Sequence, residues 1–263
     1  MKVSVFASGS SGNCLLVSSG ATHLLVDAGI SMRRIDAALA QTGLTLREIG
    51  GVLITHEHSD HVSGLPMLTK YHNIPIYAPK LVALRLREQT PALDRCLMPF
   101  AAGETLRLGS MAVRAFHTPH DTPESVGYRI EGDGVFALAT DMGCVTDEVL
   151  RGLQGADTVL IESNHDEVML RSGPYPFPLK RRILADTGHL SNENCAILAR
   201  TLAESGTRQI ILGHLSRENN TPSLALAASR EALVGTDTDV YCAPVLGCLT
   251  VTVERREPCF VST

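Results

Sequence analysis

The stretch THEHSDHVSGL, residues 55–65, packs three histidines and two carboxylates into positions 56 to 61. His56 and His58, at i and i+2, can chelate one ion from a turning backbone, while Asp60 and His61 point to an adjacent position. These nitrogen and oxygen donors suit zinc, manganese or iron, because no thiolate is present to select a soft metal. The spacing is too tight and the residues too polar for a buried strand or an amphipathic helix, which predicts a loop. A solvated charged loop explains two histidines alone equally well. Three further stretches tip the balance towards a site: HTPHDT (117–122) after AVRAF, TDMG (140–143) after VFALA, and GHLSRENN (213–220) after QIIL. In open α/β sheets, ligands gather outside the carboxyl ends of strands, where such groups can converge.

Strands must therefore deliver these residues, and the pattern supplies them. KVSVFAS, CLLVSS and HLLVDAG read as three strands joined by Gly and Ser turns, and GVLIT as a buried strand leading into the histidine loop. Helices are predicted at 31–41, 63–72, 80–88, 146–153, 191–205 and 222–234. In the helix at 191–205, Cys195, Leu198, Ala199 and Leu202 share one face and Gly206 stops the run. From Glu104 onwards strands return before alternating with helices again. Each half runs strands first and then alternates, which predicts two sheets packed face to face with helices outside. Residues 1–263 are expected to form one α/β domain of two pseudo-symmetric halves meeting near residue 125.

Composition narrows the class. The 263-residue chain is 44% hydrophobic and 19% charged, has a formal charge of −5 and contains no Trp, which fits a soluble globular protein. No apolar run is long enough to span a bilayer, and MKVSVFASGSSGN has no basic region followed by an apolar segment; the expected location is the cytoplasm, without membrane association. The negative charge argues against a broad nucleic-acid surface but leaves room for a local basic patch. The scattered cysteines Cys14, Cys96, Cys144, Cys195, Cys242, Cys248 and Cys259 contain no C-x-x-C pair and read as small apolar residues in a reducing compartment.

The HxHxDH arrangement, followed in order by the other clusters, resembles the metallo-β-lactamase superfamily over the whole chain. That resemblance implies a four-layer αββα sandwich and two divalent ions, zinc or manganese. It implies that His56, His58 and His120 hold one ion, that Asp60, His61 and His214 hold the other, and that Asp141 bridges them. Asp27 in LLVDAG is implied to support the ligands from behind. The family often has Gly between the Pro and His of the third motif; HTPHDT departs from this and offers both His117 and His120. His120 is preferred because it follows the proline turn, whereas His117 still belongs to a strand.

HxHxDH alone does not choose a reaction. SGSSGNC, VLIESNHDEVML, GHLSNENCA and LGHLSRENNTP resemble the YycJ/WalJ (VicX) subfamily and, in outline, ribonuclease Z. This implies a phosphodiester hydrolase, a DNA exonuclease acting from 5′ ends and linked to mismatch repair. His189, partnered by Glu162, is implied to stabilise the transition state or protonate the leaving oxygen, and Asp60 to orient the attacking water. Ser10, Ser11 and Asn13 form a Gly-flanked turn whose N–H groups can approach a phosphate; a plain hairpin turn explains them too. Lys180, Arg181 and Arg182 end a Pro-rich loop and suit a nucleic-acid backbone, or simply a solvated helix start. His165 and Asp166 either support a ligand or close a loop. Two other functions stay open: a phosphodiesterase for small or cyclic nucleotides, and a metal-stabilised regulatory domain without catalysis.

Overall fold

The computed structural model describes residues 1–254; Cys259 lies outside the described residues. Six strands open the chain: β1 (Lys2–Ala7), β2 (Cys14–Ser19), β3 (Thr22–Val26), β4 (Gly51–Leu53), β5 (Ile76–Pro79) and β6 (Leu97–Phe100). Between them lie α1 (Met32–Gln41), α2 (Ser59–Val62), α3 (Leu65–Tyr71) and α4 (Lys80–Gln89). Then follow β7 (Thr105–Leu108), β8 (Met111–His117), β9 (Val126–Glu131), β10 (Val135–Ala139), α5 (Asp147–Leu153), β11 (Thr158–Glu162), α6 (Glu167–Ser172), α7 (Phe177–Ile183), α8 (Asn192–Glu204), β12 (Gln209–Gly213), α9 (Pro222–Ala232), β13 (Asp239–Cys242) and β14 (Leu249–Thr252). One sheet runs β14-β1-β2-β3-β4-β5-β6 and the other β13-β12-β11-β10-β9-β8-β7.

The period-two alternation of side chains explains why these strands stack. Leu24 and Val26 of β3, Phe136 and Leu138 of β10, and Ile211 of β12 all enter one cluster between the sheets. Their neighbours point the other way. Leu25 joins Ile35, Leu39, Leu65, Leu68, Val82 and Leu86 from α1, α3 and α4. Ala137, Ile210 and Leu212 join Val149, Leu153, Leu198, Leu202 and Ala225 from α5, α8 and α9. Strands covered on both faces need apolar residues at nearly every position, and each Leu, Val or Ile so buried contributes about 1.5–3 kcal/mol. The four-layer αββα arrangement expected from the sequence is thus present.

Two segments differ from their sequence reading. Ser59–Val62 form a helical turn with His58 at its N-cap, not a loop; one turn needs no apolar stripe, and Asp60 sits favourably among its free N–H groups. Phe177–Ile183 are helical although Pro-rich composition reads as loop, because Pro178 falls in the first turn, where its missing N–H costs nothing.

The turn after β3 clamps the histidine segment. Ala28 N–H donates to His61 O (2.8 Å), Asn13 N–H to Asp60 O (2.7 Å), Gly29 N–H to Asn13 O (2.8 Å) and Gly64 N–H to Ala28 O (2.8 Å). A Cβ on Gly29 would lie 1.6 Å from Asp60 O. Gly29→Ala is therefore expected to cost about 1–3 kcal/mol, the range for forced overpacking, and to weaken metal uptake together with stability. Denaturant titration alongside metal analysis checks this, and an unchanged midpoint with full metal content contradicts it.

Candidate metal centre

Six strand ends contribute to one cluster. Asp27 follows β3, His56 to His61 follow β4, His120 lies beyond β8, Asp141 beyond β10, Glu162 ends β11 and His214 follows β12. Asp27, Asp141 and His214 are the three non-glycine residues with positive φ among the described residues, at 58°, 56° and 55°. A left-handed residue turns the chain sharply at a strand end, and for Asp or His it is uncommon and strained.

His56 Nε2 lies 3.1 Å from His58 Nδ1, which lies 3.3 Å from His120 Nε2. Beside this triad, Asp60 Oδ2 is 3.5 Å from both His61 Nε2 and His214 Nε2. Asp141 stands between the groups, with Oδ1 3.8 Å from His120 Nε2 and 3.5 Å from His214 Nε2, and Oδ2 3.3 Å from His61 Nε2. The far ring nitrogens are held from behind. His61 Nδ1 donates to Asp27 Oδ2 (2.7 Å), and His214 Nδ1 to Glu162 Oε1 (2.9 Å). His120 Nδ1 faces the carbonyl of Gly188 at 3.3 Å. A proton kept at Nδ1 leaves the Nε2 lone pair free to ligate.

These residues fit divalent ions. The His56, His58 and His120 nitrogens converge, as do a carboxylate oxygen of Asp60 and the nitrogens of His61 and His214. Asp141 Oδ2 and His214 Nε2 are buried and make no hydrogen bond among the described residues, a costly arrangement unless a ligand completes it. His117, the competing histidine, ends β8 half exposed and pairs with Glu148 at 3.1 Å, away from the cluster.

A family profile described as "Beta-lactamase superfamily domain" matches residues 22–215. The chain is 37% identical over 234 residues to the protein named exodeoxyribonuclease YycJ of Bacillus anthracis, covering 88% of each. It is 39% identical over 251 residues to exodeoxyribonuclease WalJ of Streptococcus pneumoniae, covering 91% of this chain and 93% of that one. This chain belongs to the metallo-β-lactamase superfamily. As a member it is a metal-dependent hydrolase. Its fold matches the metallo-β-lactamase fold protein YhfI of Bacillus subtilis (TM-score 0.72, 18% identity, 95% of this chain and 99% of that one). It also matches zinc-bound PqqB of Methylobacterium extorquens (TM-score 0.74, 20% identity, 96% and 100%).

Within this metallo-β-lactamase centre the two triads differ electrostatically. Burial and the neighbouring His61 charge hold His56 well below its ordinary pKa, and burial also lowers His120. In the second triad burial is outweighed: Asp27 and Asp141 hold His61 well above its usual range, and Asp141, Asp60 and Glu162 raise His214 to about 10. Asp60 and Asp141, against burial, are held low by the same histidines. Glu162 falls to about 2, its burial offset by His189 and His214.

A cavity of about 280 Å³ opens over the cluster. His58, Asp60, His120, Asp141, His189 and His214 form its floor, and Ser10, Tyr175, Leu179 and Arg182 its walls. His189 Nδ1 donates to Glu162 Oε1 at 2.7 Å, so that one oxygen serves both His189 and His214. Of the expected phosphate contacts, Ser10 lines the cavity, whereas the exposed Ser11 does not. Asn13 is occupied: its Oδ1 accepts from Gly9 N–H, and its Nδ2 lies 3.0 Å from His61 Nε2 and 3.4 Å from Asp60 Oδ2. It braces the cluster instead of presenting a free amide. Lys180 donates to the carbonyls of Arg171 and Gly173, and Arg181 is exposed away from the cavity. Helical phase is the reason: Leu179, Arg182 and Ile183, at i, i+3 and i+4 of α7, share the face turned to the cavity. Arg182 pairs there with Asp121. Asp166 caps α6 by accepting from Met169 N–H (2.8 Å), the loop-closing role. His165 is buried and neither ring nitrogen finds a partner among the described residues.

Sequence reasoning missed Thr55 and Asn164. Thr55 Oγ1 lies 3.0 Å from Asp27 Oδ2 and 3.1 Å from His56 Nδ1, and Asn164 Nδ2 donates to His214 O at 2.9 Å. Thr55 directly precedes the HxHxDH run and Asn164 follows Glu162 by two positions, so adjacency to the motifs was the available signal.

In the metal-free protein His214 and Glu162 both contribute fully to stability between pH 4.5 and 6.5, whereas His56 and His120, lowered in pKa, oppose folding as pH falls below 6.5. The His214 contribution, from a raised pKa, is complete below 6.5 and lost as pH rises towards 10; the Glu162 contribution, from a lowered pKa, is complete above 4.5 and lost as pH falls towards 2. Metal loading at pH 7 should displace protons from the second triad. Calorimetry of loading in buffers of different ionisation enthalpy measures them, and heats independent of buffer contradict the protonated histidines.

Proposed function

We propose that this hydrolase is a dinuclear phosphodiesterase acting on DNA, a cytoplasmic exonuclease that works from 5′ ends and serves DNA repair. The observation that supports it best is the meeting, in one open cavity, of two donor triads spanned by Asp141 with an imidazole, His189, held by Glu162. The relatives named exodeoxyribonuclease supply the substrate class; the 5′ polarity and the repair role follow the subfamily resemblance.

In this reading His56, His58 and His120 would hold one ion and Asp60, His61 and His214 the other, with Asp141 as a donor available to each. When bound, the ions, zinc or manganese, supply Lewis acidity that neutralises phosphate charge and acidifies water. Asp60 is 21% exposed, against 0–3% for His61, His214 and Asp141, so it is the donor best placed to accept a hydrogen bond from the attacking water. His189 is raised in pKa, because Glu162 outweighs its burial. The charged ring is thus favoured, and in this reading it hands a proton from Nε2 to the leaving oxygen while Glu162 keeps it oriented through Nδ1. Arg182, oriented by Asp121, and Ser10 stand where a phosphate flanking the scissile bond would lie.

The small cavity favours a second reading, a phosphodiesterase for small or cyclic nucleotides, because about 280 Å³ sits at the low end of ligand pockets. Incubating the zinc- or manganese-loaded protein with end-labelled 5′-phosphorylated DNA, and separately with a bis-aryl phosphodiester, decides between them. Stepwise loss of nucleotides from 5′ ends is expected; cleavage of the ester alone rejects the nuclease.

His189→Ala is expected to lower kcat by about 10²–10⁴ with both ions retained. His214→Ala should instead lose an ion. Metal content measured beside kcat separates the two roles, and loss of metal from His189→Ala contradicts the proton-donor assignment. Asp27→Asn should weaken metal affinity by about 10–100-fold without touching substrate.

A further inference from the structure

Away from the metal centre, the outer face of β8 and β9 gathers arginines in a chain whose formal charge is −5. The antiparallel register sets Arg114 of β8 opposite Arg129 of β9. Their neighbours Val113, Ala115, Tyr128 and Ile130 all pack between the sheets, so both arginines face outward. Like charges directly opposite each other destabilise a sheet. Arg151 of α5 joins the pair around a cleft of about 320 Å³, which Phe116, Gly152 and Glu148 also line.

Internal pairing leaves this charge largely unspent. Arg129 is oriented by Glu131 Oε1 (2.9 Å) and the carbonyls of Gln154 (2.9 Å) and Gly152 (3.4 Å). Arg151 uses only Nε, donating to Asp147 O at 3.0 Å. The side chain of Arg114 makes no hydrogen bond or ion pair among the described residues. The one carboxylate in the cleft, Glu148, accepts from His117 N–H at 2.9 Å and pairs with its ring at 3.1 Å. Guanidinium groups with free terminal N–H pairs suit a bidentate phosphate.

We propose that this cleft is a second phosphate-binding site, one that grips the DNA backbone at a distance from the scissile bond. It rests on the nuclease reading and extends it. The strand bearing Arg114 ends at His117, and the chain then turns through Pro119 to His120 at the metal centre. DNA entering the active site can therefore run back along β8 to the cleft. Such an anchor also answers the cavity's small volume: the active site holds the reacting phosphate, and affinity for a long chain comes from the arginines.

The test uses the metal-loaded protein and a dumbbell duplex without free ends, which binds without being degraded by an exonuclease. Binding is followed by anisotropy across a salt series for wild type, Arg114→Ala, Arg151→Ala and the double variant. Both residues are exposed, so melting temperatures should hold. Loss of two phosphate contacts should make the slope of log K against log salt less negative by about 1.8, at about 0.9 per contact, with bis-aryl ester hydrolysis unchanged. An unchanged slope and affinity in the double variant overturn the site. If wild type binds no DNA, the nuclease reading fails, and inorganic phosphate is titrated instead. One equivalent bound by wild type and lost in the double variant keeps the anion site; no difference between them rejects it.

Discussion

A single buried oxygen organises this molecule's chemistry. Glu162 Oε1 accepts from His189 at 2.7 Å and from His214 at 2.9 Å, while Oε2 accepts from Met142 N–H at 2.9 Å. A fully buried carboxylate without partners would cost several kcal/mol; here the partners are the side chains that need orienting. By holding a proton on each Nδ1, Glu162 turns the Nε2 of His214 towards the donor cluster and the Nε2 of His189 towards the cavity. Metal binding and proton transfer, as proposed, thus depend on the same carboxylate, and neither can be adjusted without disturbing the other.

The backbone carries a matching constraint. Asp27, Asp141 and His214 adopt the left-handed conformation, at a cost of order 1–3 kcal/mol each. Their surroundings hold them in it: Asp27 N–H donates to Leu53 O at 2.8 Å, and His214 N–H to Ser8 Oγ at 2.8 Å while its carbonyl accepts from Asn164. The apolar layers supply the stability that tolerates this. Strain is concentrated at strand ends, where it aims side chains from both sheets at one point.

The sequence made the architecture and most of the centre legible for different reasons. Strands buried on both faces leave near-continuous apolar runs, and Ile35, Ala38 and Leu39 or Cys195, Leu198, Ala199 and Leu202 mark helices by period. Residues suited to metal binding are chemically specific, so His56, His58, Asp60, His61, His120, Asp141 and His214 stand out where Val or Leu would not. Lys180, Arg181 and Arg182 could not be sorted without knowing that α7 is a helix, since only the turn of about 100° per residue sends Arg182 to the cavity. Asn13 was recognisable as a polar turn residue, but its partners Asp60 and His61 lie far off in the chain. The left-handed angles leave no trace in residue type, because Asp and His are there for their donor atoms.

The two triads meet protons differently, and this follows from where the carboxylates stand. Among the described residues Asp141 is the carboxylate that acts on His56, and burial among other imidazoles disfavours its charge. His61 and His214 each contact three carboxylates, Asp27, Asp60 and Asp141 for the first and Asp60, Asp141 and Glu162 for the second, which favour the charged ring. An ion entering the first triad therefore meets a neutral imidazole in His56, whereas one entering the second must displace protons from two. Opposing that, the second triad offers the formal charge of Asp60, which attracts a cation more strongly than imidazole does. Asp141, shared between them, couples the two positions: a cation in either one lowers the proton affinity of the histidines around the other.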